Sequence, residues 1–140
     1  MEALFSSQLV THGTEKPAHY LRSTDMTLLL FGAAWSVPCK DLVPYLSVIY
    51  SQANREYKRL EIVYVSLDPN EAQFREAFRE MPWVAVPRHQ TSLIEQLRGE
   101  FAVDAVPRLV LLRNAQLIQD DCVHDVFNLG PMALKQWEKL

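Results

Sequence analysis

Thr27-Leu28-Leu29-Leu30-Phe31 leads into Trp35-Ser36-Val37-Pro38-Cys39, which leads into Asp41-Leu42-Val43-Pro44-Tyr45-Leu46-Ser47-Val48-Ile49-Tyr50. The first stretch is apolar without alternation, as expected of a strand covered on both faces. The third places Leu42, Tyr45, Leu46, Ile49 and Tyr50 at helical spacing, and the helix is expected from Pro38 to about Tyr57. Strand, tight turn, helix is the plain reading. Pro44 is expected to kink the helix, because it lacks an amide hydrogen and crowds the carbonyl four residues back.

Outward from this unit the pattern repeats. Glu61 to Leu67 is rich in β-branched and aromatic residues and reads as a second central strand. Asp68-Pro69-Asn70 ends it and offers a cap for a polar-faced helix over 71–79. Met81 to Pro87 is bounded by prolines with Trp83 in its middle. Thr91 to Phe101 reads as a helix with Leu93, Ile94 and Leu97 on one face. Arg108–Leu112 and Leu117–Gln119, separated by Asn114-Ala115-Gln116, predict an antiparallel hairpin. A last helix is expected over about 131–139. Alternating strands and helices with a late hairpin give an α/β fold, a central mixed β-sheet flanked by helices on both faces.

The first 25 residues are less legible. Gln8–Thr11 reads as a short strand, His12-Gly13-Thr14 as a turn and Ala18–Leu21 as a second short element. The chain of 140 residues is expected to form one domain over 1–140, with 1–25 as an N-terminal extension. A hydrophobic fraction of 49% with 22% charged residues is ordinary for a globular protein. A net charge of −3 gives no electrostatic case for nucleic acid or an anionic membrane. No window has the apolar length of a membrane span, and the amino terminus lacks the pattern of a secretory signal. Two distant cysteines suggest a reducing compartment, and a cytoplasmic location is expected. The four histidines show no ligand spacing to either cysteine, and no glycine-rich phosphate loop occurs, so neither metal nor cofactor is expected.

Four features in order carry a family resemblance: the Trp-x-x-Pro-Cys turn after a buried strand, Pro44 beyond it, Met81-Pro82-Trp83-Val84-Ala85-Val86-Pro87, and Val106-Pro107 before another apolar strand. Together they resemble the tryparedoxin and nucleoredoxin branch of the thioredoxin-like superfamily, over about Leu28 to Gln119. The Met-Pro-Trp segment is the most specific. The resemblance implies a thioredoxin-like fold, and a site at the turn with Trp35, Val37, Pro38, Val106, Pro107 and Arg108 as binding residues. It also implies a cis peptide bond at Val106-Pro107, and a groove beside the turn that pairs with an extended protein or peptide partner.

In such proteins the turn carries two cysteines; here Ser36 stands at the first position and Cys39 at the second. Disulfide exchange needs a thiolate, and a helix amino terminus lowers a thiol pKa but gives a serine hydroxyl nothing comparable. Ser36 reads as a helix cap, the competing reading being a nucleophile or hydrogen-bonding ligand. Cys39 reads as a small buried hydrophobe, against a lone redox thiol. Cys122 reads as structural filler or a surface thiol. Trp35 and Trp83 match site-flanking tryptophans by position, and core packing explains both equally well. Leu30 stands where tryparedoxins have a tyrosine and Leu67 where they have a tryptophan, with no acid at the buried-acid position of thioredoxins. Arg88 and Arg108 could form an anion-binding spot or solvated surface.

Two functions follow. One is a protein- or peptide-binding module of this type, inactive in redox chemistry for want of the nucleophilic cysteine. The other is a thiol-disulfide oxidoreductase, either through a lone thiol (Cys39 or Cys122) or with Ser36 a laboratory replacement of a cysteine. Whether the chain is an enzyme therefore stays open at this stage.

Overall fold

A computed structural model describes residue 4 and residues 8–12, 15–17 and 26–140. A seven-stranded sheet runs through these residues. In chain order the strands are β1 (Gln8–Val10), β2 (Glu15–Pro17), β3 (Met26–Gly32), β4 (Leu60–Ser66), β5 (Val84–Ala85), β6 (Arg108–Arg113) and β7 (Gln116–Gln119). The helices are α1 (Val37–Ala53), α2 (Glu71–Phe78), α3 (Thr91–Glu100), α4 (Val123–Leu129) and α5 (Met132–Glu138). Spatial order is β2-β1-β5-β4-β3-β6-β7. β3 and β5 flank β4 in parallel, and the remaining pairings are antiparallel.

The period of two along each central strand builds two cores. Leu28 and Leu30, Ile62 and Tyr64, Leu109 and Leu111 face one side, where Leu42, Leu46 and Ile49 of α1 and Trp137 of α5 pack. Leu29 and Phe31, Val63 and Val65, Val110 and Leu112 face the other, against Leu93, Ile94 and Leu97 of α3. Every residue of β3 and of β4 is buried, which is why their sequences do not alternate. At about 1.5–3 kcal/mol per fully buried aliphatic or aromatic side chain, these two layers dominate the stability.

Several element boundaries differ from the sequence reading. α1 runs through Pro44 and ends at Ala53, short of Tyr57. Asn54 stops it: its Oδ1 accepts from the amides of Arg59 and Leu60, and its Nδ2 donates to the Leu60 carbonyl, pinning the chain at the start of β4. α4 was not anticipated, because it is one short helix with a single fully buried residue, Val126. The Asp121 carboxylate, which accepts from the Val123 and Leu109 amides, starts it, and Gly130 at φ 54 ends it. β2 and the two-residue β5 were likewise unforeseen; both take their conformation from a neighbour's ladder. The short element expected over Ala18–Leu21 lies outside the described residues, as do residues 13 and 14 of the expected turn.

At the hairpin between β6 and β7, Asn114 and Ala115 both have positive φ, 51 and 66. This is the turn hand that matches strand twist. Asn tolerates it; alanine does so at a cost, having a Cβ that crowds the following carbonyl.

Candidate functional site: the turn after β3

The turn sits where the parallel strands β3 and β4 end, the usual place for sites in open α/β sheets. Ser36 is the cap of α1: its backbone is extended and its Oγ accepts from the Cys39 amide at 3.3 Å. Pro38 falls in the first helical turn, where its missing amide hydrogen costs nothing. The turn divides its residues cleanly. Trp35 and Val37 are 65% and 63% exposed and Pro38 is exposed, whereas Ser36 and Cys39 are 4% and 6% exposed. Apolar surface faces outward, and both chemically interesting atoms face in.

Burial pushes the Cys39 thiol up from its ordinary value. Hydrogen bonding to Ser36 and to the Ala33 backbone pulls the other way, and the charge of Asp68 adds to the rise. A narrow, mainly apolar cavity of about 30 Å³ adjoins Cys39, lined among others by Leu30, Val43, Tyr64 and Met81. It shares Lys40, Val43 and Ala77 with a wider cleft between α1 and α2. Gly32 permits the close packing here: a Cβ on it would lie 3.2 Å from Cε1 of Tyr64 and 3.3 Å from Sγ of Cys39.

Beneath the turn lies a group that sequence reasoning passed over. Asp68, 3% exposed, takes three donors on its carboxylate. The Ala34 amide donates at 2.6 Å, the Tyr64 hydroxyl at 2.9 Å and the Ser66 hydroxyl at 2.6 Å. The Ser66 Oγ in turn accepts from the Asp68 amide at 3.0 Å, and the Leu67 amide donates to the Gly32 carbonyl at 2.9 Å. The loop after β4 is thus sewn to the turn after β3. Burial, and then the Asp68 charge, drive the Tyr64 hydroxyl far above its usual range, so it stays a donor. An available signal was Tyr64, Ser66 and Asp68 at alternate positions, polar groups on one side of an apolar strand. The register adds a further point. Leu30, where the resemblance leads one to expect tyrosine, pairs directly with Tyr64 on the adjacent strand, so a tyrosine hydroxyl is present one strand over.

Phe31 pairs with Arg108, so Val106 and Pro107 lie at the end of the sheet that carries the turn. Their peptide bond is cis, and both are half-buried. Arg108 braces the loop at the start of β6: its Nε donates to the Asp120 carbonyl and its Nη2 to the Phe101 carbonyl. Arg88 donates instead to the Asp68 carbonyl at 2.8 Å. The two arginines thus brace separate loops. Trp83 is 1% exposed and packs edge-on against Tyr50, so it belongs to the core and not to the site.

Cys122 is fully buried, so it is not a surface thiol, and it is free, as is Cys39. Burial first, and then the charges of Asp125, Asp121 and Asp120, push it up to about 12.

The family model described as Thioredoxin-like matches residues 24–117. Among curated relatives, probable nucleoredoxin 3 of Arabidopsis thaliana is 33% identical over 137 residues, covering 94% of this chain and 34% of the relative. Tryparedoxin of Trypanosoma brucei brucei is 34% identical over 84 residues, covering 60% of this chain and 58% of the relative. The chain therefore spans about a third of the first and little over half of the second. The solved tryparedoxin from Trypanosoma brucei superimposes with a TM-score of 0.84 at 27% identity, covering 95% of this chain and 92% of that one. No described helix is long and apolar enough to cross a membrane. With the fold, the turn and these likenesses in agreement, the chain belongs to the thioredoxin-like family, on its tryparedoxin and nucleoredoxin side.

Proposed function

We propose that this chain is a protein- or peptide-binding module of the tryparedoxin and nucleoredoxin type, without dithiol exchange activity, and that it works in the cytoplasm. The observation that carries this reading is the division of labour in the turn. The position from which a thiolate would attack holds Ser36, whose oxygen caps α1. Both cysteines are buried and free, and each has its thiol pKa raised, which keeps the reactive thiolate scarce at neutral pH. Apolar Trp35 and Val37 stand exposed in the same turn as Ser36 and Cys39 and suit a binding surface. Val106 and Pro107, at the same end of the sheet, supply the other wall of the groove.

The test is reduction of insulin disulfides by the native chain beside a Ser36→Cys variant. The expected result is background rate for the native chain and a clear gain for Ser36→Cys. Activity of the native chain would mean that Cys39 or Cys122 exchanges disulfides alone, and the oxidoreductase reading would replace this one. The binding half is tested separately, with peptides selected on the native chain: Trp35→Ala is expected to weaken their binding at least tenfold.

A further inference from the structure

α1 separates two surfaces. One side of it lines the cleft toward α2 with Lys40, Val43, Pro44 and Ser47. The other side meets α4, where Tyr45 packs edge-on against Phe127 with ring centroids 5.6 Å apart. Asp41, Tyr45 and Val48 follow one another at one-turn spacing and so share that second side. Tyr45 is 53% exposed, Val48 47% and Phe127 41%, so the junction of the two helices ends in aromatic and aliphatic surface. Single exposed apolar side chains are normal, whereas adjoining ones with a polar rim mark interaction surfaces. Here the rim is of one sign. Asp41 stands exposed one turn above Tyr45. Asp120, Asp121 and Asp125 stand before and within the first turn of α4, close enough that their charges reach the Cys122 thiol. The side chain of Asp120 is 73% exposed, and Arg108, 3.6 Å away and 17% exposed, offsets part of its charge. α4 contains no lysine or arginine, and Lys40, the one basic residue of α1, lies on the cleft side.

We propose that the α1–α4 face, with Tyr45, Val48 and Phe127 at its centre, is a docking surface for a basic amphipathic helix of a partner protein, separate from the groove beside the turn. A helix is the fitting shape. The surface is built by two helices and shows its apolar groups at one-turn spacing, which the side-chain ridge of a third helix matches. Charge fixes the rest. Lysine or arginine beside the partner's apolar stripe meets the carboxylates of Asp41, Asp120 and Asp121. A cation over the exposed face of Tyr45 or Phe127 gains about 0.5–1 kcal/mol more. A second copy of this chain is a poor occupant, because its own α1–α4 face repeats the same acids and sets like charge against like.

The test titrates the whole chain into a labelled leucine–lysine peptide of about 18 residues, five helical turns, and reads fluorescence anisotropy. Leucine stands at helical spacing in this peptide. It is compared with a leucine–glutamate peptide of the same pattern and with a leucine–lysine peptide of scrambled pattern. The patterned leucine–lysine peptide is expected to bind with a Kd on the order of 10 µM, and each comparison peptide about tenfold more weakly or worse. Tyr45→Ser/Phe127→Ser and Asp41→Asn/Asp120→Asn should each weaken binding about fivefold or more. Ser47→Ala, on the cleft side of α1, should leave it intact. Should the serine pair fail to fold, the asparagine pair carries the test alone. Absence of binding overturns the proposal, and so does equal binding of the lysine and glutamate peptides. Binding that survives either double variant, or that is lost in Ser47→Ala, overturns it as well. So does a native chain that sediments as a dimer and becomes monomeric in Tyr45→Ser/Phe127→Ser, since a second copy would then occupy the face.

Discussion

Replacing Asp68 tests whether the turn is held from below. The native carboxylate takes three buried donors: the Ala34 amide, the Tyr64 hydroxyl and the Ser66 hydroxyl. A hydrogen bond to a charged group contributes about 1.5–3 kcal/mol, and a buried donor left without a partner costs about 1–3 kcal/mol. Tyr64→Phe removes one donor and leaves two, for an expected loss of about 1.5–2 kcal/mol. Asp68→Asn keeps an oxygen for the Ala34 amide and turns an amide group toward two hydroxyls that can rotate to accept, for about 2 kcal/mol. Asp68→Ala strands the amide and both hydroxyls together, for about 4–5 kcal/mol, the exceptional end of point-mutation effects. Urea unfolding followed by fluorescence reads these values, since Trp83 and Trp137 are buried and Trp35 is exposed. The urea slope should stay constant, because the folded surface does not change. An Asp68→Ala loss below about 1 kcal/mol, or one no larger than that of Tyr64→Phe, would refute the network as the support of the turn.

Two smaller effects are open to the same measurements. Ala115 at φ 66 should be relieved by Ala115→Gly. The left-handed penalty of about 1–2 kcal/mol, less the 0.5–1 kcal/mol of extra glycine entropy, leaves a gain of about 0.5–1 kcal/mol in unfolding free energy. For Cys122, the folded pKa of about 12 lies above the ordinary 9.0. The folded chain therefore holds the thiol proton more tightly than the unfolded one. That contribution is fully present below pH 9 and is lost as pH rises toward 12. The gap in thermal midpoint between the native chain and Cys122→Ala should narrow steadily from pH 8 to pH 11, and a gap that stays constant would contradict the burial of this thiol.

The fold was legible where one physical signal dominated. β3, β4 and the β6–β7 hairpin follow from continuous apolar runs and a turn sequence, and α1 to α3 from spacing and caps. Elements defined by another element's ladder were not legible: β2 exists because β1 lies beside it, and β5 because its two residues meet β4 and β1. The end of α1 was misjudged for a similar reason. Asn54 looks compatible with a helix in sequence, and stops this one only because the 59–60 backbone is in reach of its side chain.

The site divides along the same line. Ser36 as a cap could be read from three adjacent residues, since the bond it makes is local. Asp68 could be read only in part: Tyr64 and Ser66 stand at alternate positions before it, but its third donor, the Ala34 amide, belongs to the turn after β3 and comes within reach only when β3 and β4 pair. A thioredoxin-like site invites reading a buried acid below the turn as equipment for exchange. Here the acid has a second task that needs no chemistry. It accepts the Ala34 amide at the point where the strand becomes the turn, and it would do so whether position 36 held serine or cysteine. Because the network rests on a backbone amide and two hydroxyls, its presence says that the turn must be held, not that a thiolate is made there. The weight of the proposed function therefore falls on position 36 itself, where the serine oxygen meets the demand for a helix cap.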